Sequence, residues 1–195
     1  MRVVIQIAKD AKCIIDEKIY SSIDFGYVLL VGFTEGDDIT TINKMIKKII
    51  NLRIFRDEND KMNLNILQAN GKILSISQFT LYANTNDGNR PSFVGALPGE
   101  KSSLLYDKFN ELLSKEIEVQ TGVFGAHMEI ELFNDGPVTI IIDSKVSLTA
   151  YSDYVGAEDE AQRKAAIKAN YDSIWKHVEE LASKKYNQLV EQAVP

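Results

Sequence analysis

Cysteine is almost missing from this chain. Cys13 stands alone among 195 residues, so no disulfide can form within the chain and a reducing compartment fits best. Positive charge is also in deficit: 22 Lys and Arg face 28 Asp and Glu, a net charge of −6. That balance argues against a broad surface for coating nucleic acid, though not against a pocket for one end of an RNA. No stretch approaches the roughly 18 apolar residues of a membrane span. The opening Met1-Arg2-Val3-Val4-Ile5-Gln6 has no long apolar signal core. The expectation is a soluble, cytoplasmic protein without a membrane partner.

The common catalytic signatures are absent as well. There is no His-Glu-x-x-His, no Cys-x-x-Cys, no Gly-x-x-x-x-Gly-Lys and no Gly-x-Ser-x-Gly. Only two histidines occur: His127 at the start of an expected strand and His177 in the tail, neither with a visible catalytic partner. Cys13 sits beside Ile14 and Ile15 and reads as a small buried hydrophobe rather than a nucleophile. A conventional triad or zinc mechanism is therefore poorly supported, and no metal or other cofactor is expected.

What is present is an ordinary globular composition, 45% hydrophobic and 26% charged. At this length a chain can bury about 70% of its unfolded surface, so neither staple nor metal is needed to fold it. The β-branched runs Val3–Ile7 and Cys13–Ile15 read as strands, as does Tyr27–Val31 before Gly32. Gly36-Asp37-Asp38 opens a helix over 38–51, with Ile42, Met45, Ile46 and Ile49 at helical spacing. A charged turn at 56–60 precedes a short strand near Met62, and Lys72 to Leu81 reads as a longer strand of near-alternating polarity. Residues 84–99 read as loop. A second helix over 100–114 has Leu104, Leu105, Phe109, Leu112 and Leu113 as its apolar face. Strands His127–Phe133 and Val138–Asp143 flank a turn at Asn134-Asp135-Gly136-Pro137. Most connections look too short for βαβ crossovers, so the expected class is α+β with a mainly antiparallel sheet and two helices.

Residues 145–195 differ and are expected to be a mostly helical C-terminal extension of a domain at 1–144. Ile167, Tyr171, Ile174, Val178 and Leu181 make an amphipathic stripe. Seven Lys and Arg against eight Asp and Glu show that this is no basic arm.

Two segments could carry chemistry. Ser77-Gln78-Phe79-Thr80-Leu81 ends a strand, where hydroxyls, an amide and backbone N–H groups can point into a cleft; the plainer alternative is a half-buried strand with local hydrogen bonds. Asn134-Asp135-Gly136-Pro137-Val138-Thr139 reads as a turn, or as a loop whose glycine permits close approach of a ligand.

These segments belong to a longer series: Met1–Gln6, Asn51-Leu52-Arg53-Ile54-Phe55, Lys61-Met62-Asn63-Leu64, Ser77–Leu81, Arg90-Pro91-Ser92-Phe93, Gly122-Val123-Phe124-Gly125-Ala126 and Asn134–Thr139. Seven motifs in order and register over residues 1–144 make the chain resemble the D-aminoacyl-tRNA deacylases. The resemblance implies a β-barrel-like fold with two helices, acting as a homodimer on the 3′ end of D-aminoacyl-tRNA. It implies hydrolysis of the ester to free D-amino acid and tRNA, a chiral proofreading of translation. Carried over residue by residue, Ser77, Gln78, Phe79 and Thr80 line the site of the ester carbonyl, with N–H groups near Phe79 and Thr80 stabilising the oxyanion. Phe124, Gly125 and Met128 match a region that receives the terminal adenosine. Gly136-Pro137, cis in the family, reaches into the partner's pocket and holds the substrate's α-amino group. The substrate's ribose 2′-hydroxyl assists the reaction, in keeping with the lack of a side-chain base.

One position departs from the pattern. The family usually has arginine after the opening motif, bracing the Gly-Pro loop, and this chain has Ile7, which cannot replace a guanidinium's fork of donors. Two other functions stand beside the first: a sister deacylase of mischarged L-alanyl-tRNA, and a DNA- or RNA-binding role dependent on the tail. The tail's near-neutral charge disfavours the latter.

Overall fold

A computed structural model describes residues 1–86 and 88–144, together with Lys168. Met1–Asp143 form one compact unit. The expected helical extension lies outside the described residues.

Two long strands build the centre of the unit. β1 (Arg2–Ile15) and β2 (Lys18–Gly32) pair antiparallel along nearly their whole length, from Arg2↔Gly32 to Ile15↔Lys18. The alternation of β-branched residues buries Val3, Ile5 and Ile7 together, as the two-residue period of a strand requires. Asp10, with φ of 49°, then interrupts the pattern. Opposite the last strand, β7 (Glu129–Asp143), the step from Lys9 to Lys12 takes three residues where its partner takes two, Phe133 to Glu131. This β-bulge turns Ala11 and Cys13 into the cluster that already holds Ala8, with Val28, Leu74 and Ile76.

α1 (Ile39–Asn51) starts where expected. The Asp38 carboxylate accepts the Thr41 N–H at 2.8 Å, and Ile42, Met45, Ile46, Ile49 and Ile50 are buried. A small hairpin of β3 (Phe55–Arg56) and β4 (Met62–Leu64) follows. β5 (Lys72–Ser77) is shorter than the sequence pattern predicts, because Phe79–Tyr82 turn into a 3₁₀ helix instead of continuing the strand. α2 (Gly99–Leu113) buries Ser102, Tyr106, Phe109 and Leu113. Leu104, expected on the apolar face, is 70% exposed. At 100° per residue it points about opposite to Ser102 and Tyr106. β6 (Val119–Thr121), not anticipated from sequence, is too short to carry a periodic signal.

The sheet order is β6-β5-β2-β1-β7, with β2–β5 and β5–β6 parallel and both β1 pairings antiparallel. The fold is α+β with two helices, as expected. The barrel-like picture is corrected, because among the described residues the sheet does not close on itself; its long pairings are antiparallel, as expected, while the two shorter pairings of β5 are parallel. Residues 33–71 and 78–118 are long enough to cross over, and they carry α1 and α2 respectively. Parallel pairing with helix cover also explains why β5 buries Ile73, Leu74, Ser75 and Ile76 without alternation.

Candidate functional site

The carboxyl ends of parallel strands in an open sheet leave a crevice where ligands commonly bind. Such a cavity opens beyond the ends of β2, β5 and β6. It measures about 310 Å³ and is lined by Val31, Ile76, Ser77, Gln78, Phe79, Ser102, Phe124, Gly125, Ala126, His127, Met128 and Ile130. Six of the nine residues expected to form the site meet here: Ser77, Gln78 and Phe79 from the end of β5, and Phe124, Gly125 and Met128 from the loop after β6. Thr80 sits beside them on the exposed turn, where its Oγ1 accepts a hydrogen bond from Gln78 Nε2 at 2.5 Å.

The local chain geometry leaves backbone donors free of the turn at the edge of this cavity. The Gln78 N–H is spent on the Val31 carbonyl at 2.7 Å, which ends the β2–β5 ladder. Phe79 and Thr80 then begin the 3₁₀ turn, so their N–H groups have no acceptor within it. Phe79 remains 55% exposed and meets Phe93 edge-on, with ring centroids 5.0 Å apart.

The opposite wall rests on α2. The buried Tyr106 donates its hydroxyl to the Ser75 carbonyl at 2.7 Å, and its ring lies 6.0 Å from that of Phe124. The same Ser75 carbonyl accepts the Gly122 N–H at 3.0 Å. Burial raises the pKa of the Tyr106 hydroxyl, so it stays a neutral donor. Gly122 is needed for close packing: a Cβ there would stand 2.5 Å from Met128 Sδ and 3.0 Å from Ile76 Cδ1.

Sequence reasoning missed Ser102 and Ala126 in the lining, and the structural role of Tyr106. Ser102 and Tyr106 share a helix face at a spacing of four, and that spacing was available as a signal. His127 contributes the sole ionisable side chain of the lining, and it is exposed. Among the described residues no three of His, Cys, Asp or Glu gather as metal ligands. Cys13 is fully buried, and desolvation raises the pKa of its thiol.

Gly136 and Pro137 are not in this cavity. They are exposed and lie in a loop of β7 that leaves the ladder: Gln6 pairs Thr139 and Ala8 pairs Asn134, so Asp135–Val138 bulge out opposite Ile7. The expected turn between two strands is thus an outward loop within one strand. The Gly136–Pro137 peptide is cis, and Gly136 has φ of +119°. Gly136 and Ile7 line a different cavity of about 440 Å³, together with Phe25, Phe55 and Val138. Opposite Ile7, the loop is tied by Asn134. Its Oδ1 accepts the Val138 N–H at 3.2 Å and its Nδ2 donates to Thr139 Oγ1 at 3.1 Å. Lys9 pairs with Asp135 at 3.0 Å, a half-exposed contact of the kind worth at most about 1 kcal/mol.

Residues 4–143 match the family model described as D-Tyr-tRNA(Tyr) deacylase. A D-aminoacyl-tRNA deacylase of Listeria monocytogenes serotype 4a is 50% identical over 145 residues, 74% of this chain and 96% of the relative. Its namesake in Lactobacillus gasseri is 51% identical over 144 residues, 73% of this chain and 99% of that one. Among solved structures, a c-Myc DNA unwinding element binding protein superposes with a TM-score of 0.70 at 35% identity, covering 73% of this chain and 98% of its own. A probable eukaryotic D-amino acid tRNA deacylase shares the fold with a TM-score of 0.64 at 16% identity, over 73% of this chain and 98% of that one. With its motifs in register and this match along the compact unit, the chain belongs to the D-Tyr-tRNA(Tyr) deacylase family.

Proposed function

We propose that the chain hydrolyses the ester of D-aminoacyl-tRNA in a site that two copies complete together. The observation that carries this reading is a separation. In one chain, the residues at the end of β5 and after β6 line one cavity, while Gly136 lines another. The exposed Gly136-Pro137 loop projects from an edge strand whose Phe133 and Ile141 are 70% and 65% exposed. A symmetric pair of chains would let each loop complete the partner's cavity and cover this apolar surface.

In this arrangement the ester carbonyl lies by Ser77 to Thr80, and the N–H groups of Phe79 and Thr80 meet the negative charge that develops on its oxygen. Phe124, Gly125 and Met128 receive the terminal adenosine. The backbone carbonyls of the partner's Gly136 and Pro137 accept from the substrate α-ammonium. An L-residue held in the same grip would drive its side chain into that backbone, so chirality is sorted by exclusion. Water attacks the carbonyl carbon, the ester bond breaks, and the ribose 2′-hydroxyl assists the proton movement. The contact involves one nucleotide end and few phosphates, which suits a net charge of −6.

The test compares tRNA charged with a D- and with an L-amino acid, while sedimentation follows the oligomeric state. Rapid cleavage of the D-ester by a dimer, with loss of activity on dilution to monomer, is expected. Preference for L-alanyl-tRNA would assign the sister activity, and a fully active monomer would remove the shared site. The likeness to the c-Myc DNA unwinding element binding protein raises a second reading, binding of DNA. Salt-dependent DNA affinity of the full chain would support it, and its loss on deletion of residues 145–195 would assign it to the tail.

A further inference from the structure

We propose that Arg2 is a positioning residue for this reaction: it holds the Phe79–Tyr82 turn from behind and so sets the direction of the Phe79 and Thr80 N–H groups. The inference rests on the reading of those two groups as the oxyanion donors.

Arg2 is the first residue of β1, yet its guanidinium reaches two distant parts of the chain. Nε and Nη2 both donate to Asp143 Oδ2, at 3.1 and 2.8 Å, at the far end of β7. Nη1 donates to the Leu81 carbonyl within the 3₁₀ turn. The guanidinium carbon lies 4.8 Å from the centroid of the Tyr82 ring, a cation–π contact. One rigid, permanently charged fork therefore grips the backbone of the turn and one of its side chains, and is itself aligned by a carboxylate. The Gln78 N–H to the Val31 carbonyl fixes the entry to the turn, and within the turn the other fastenings are local or apolar: Gln78 Nε2 to Thr80 Oγ1, and the ring of Phe93 against Phe79. A 3₁₀ turn has poorer hydrogen-bond geometry than an α-helix, so an external tie on its carbonyl has leverage over the orientation of the whole turn. A lysine could meet either the carboxylate or the carbonyl, but its single ammonium lacks the planar fork to meet both while stacking on the ring.

If Arg2 only fastened strand ends, its loss would lower thermal stability and leave the folded enzyme's turnover intact. Positioning makes a different prediction, and full-length Arg2→Met and Arg2→Lys separate the two. Amide hydrogen exchange of the 79–83 segment is read alongside kcat and KM on D-aminoacyl-tRNA, at a temperature where each variant is folded. For Arg2→Met the expectation is faster exchange in that segment and a fall in kcat of about tenfold, with KM changed less than twofold. Arg2→Lys should fall between wild type and Arg2→Met in both readouts, and it carries the test alone if Arg2→Met does not fold. Unchanged exchange would overturn the clamp. Faster exchange with unchanged kcat would overturn the positioning role. The site assignment fails separately: full turnover by Gly136→Val in the same series would remove it, whatever Arg2 does.

Discussion

A site shared between two chains makes a quantitative prediction about mixtures of inactive variants. Gly136→Val should disable the loop. Even a single Cβ at Gly136 would lie 2.7 Å from Val138 Cγ2 and 3.2 Å from the Val138 nitrogen, on a backbone with φ of +119°. That region strains any L-residue, by about 1–3 kcal/mol. Because the loop lies outside the β1–β7 ladder, the strain should displace Gly136 and Pro137 without unfolding the unit. Ala126→Trp should disable the other half, since an indole would occupy much of a 310 Å³ cavity that Ala126 lines. Each homodimer is then inactive for a different reason. After unfolding and joint refolding at equal concentration, about half the dimers are mixed, and each mixed dimer holds one intact cavity facing one intact loop. Recovered activity should approach about a quarter of the wild-type value per chain. Native mass spectrometry would establish the mixed fraction, and single-turnover deacylation would count the working sites. Mixed dimers without recovered activity would refute the shared site, and so would full activity of Gly136→Val alone.

Other consequences are equally direct. If the ribose 2′-hydroxyl assists, substrate ending in 2′-deoxyadenosine should bind yet react about 10²- to 10⁴-fold more slowly, while Thr80→Ala keeps most of its single-turnover rate; the reverse pattern would indicate an acyl-enzyme on Thr80. Tyr106→Phe removes a buried 2.7 Å hydrogen bond, but the Ser75 carbonyl keeps the Gly122 N–H. The cost should therefore be near the low end, about 1 kcal/mol, seen by calorimetry as a fall in Tm of about 3 °C, with turnover unchanged because the ring still supports Phe124. An unaltered Tm, or a fall above about 8 °C, would contradict that account of the wall. The Cys13 thiol is buried and its pKa raised by desolvation, so at neutral pH it stays protonated and should react with a disulfide reagent only when the protein unfolds. Rapid stoichiometric labelling of the native protein would show that the core around Ala8, Ala11 and Leu74 opens freely.

Elements governed by near neighbours in the chain could be read from the residues alone. α1 needed only Asp38 as a cap and four apolar positions at helical spacing, and the structure starts and ends it within a residue of the expectation. The strands through Val3–Ile7 and Tyr27–Val31 followed from β-branched runs, and the motif series identified the family before any coordinates. Longer-range competition decided the rest. Nothing local says that β2 and β5 run parallel, because that depends on where α1 packs during the crossover between them. The strand pattern of Lys72–Leu81 stops at Ser77, where Gln78 meets Val31 and Leu81 is drawn to Arg2, contacts over 47 and 79 positions. Leu104 is as apolar as its neighbours, yet α2 has one rotation that buries Tyr106 and Phe109, and this leaves Leu104 in solvent. Asn134–Thr139 looks like a hairpin turn to any local rule. Pairing of both its flanks with β1 makes it a loop on one continuous strand, set apart from the cavity at the end of β5. Periodicity and capping act over a few residues, and so they fix elements; the register between distant strands decides which surfaces those elements present.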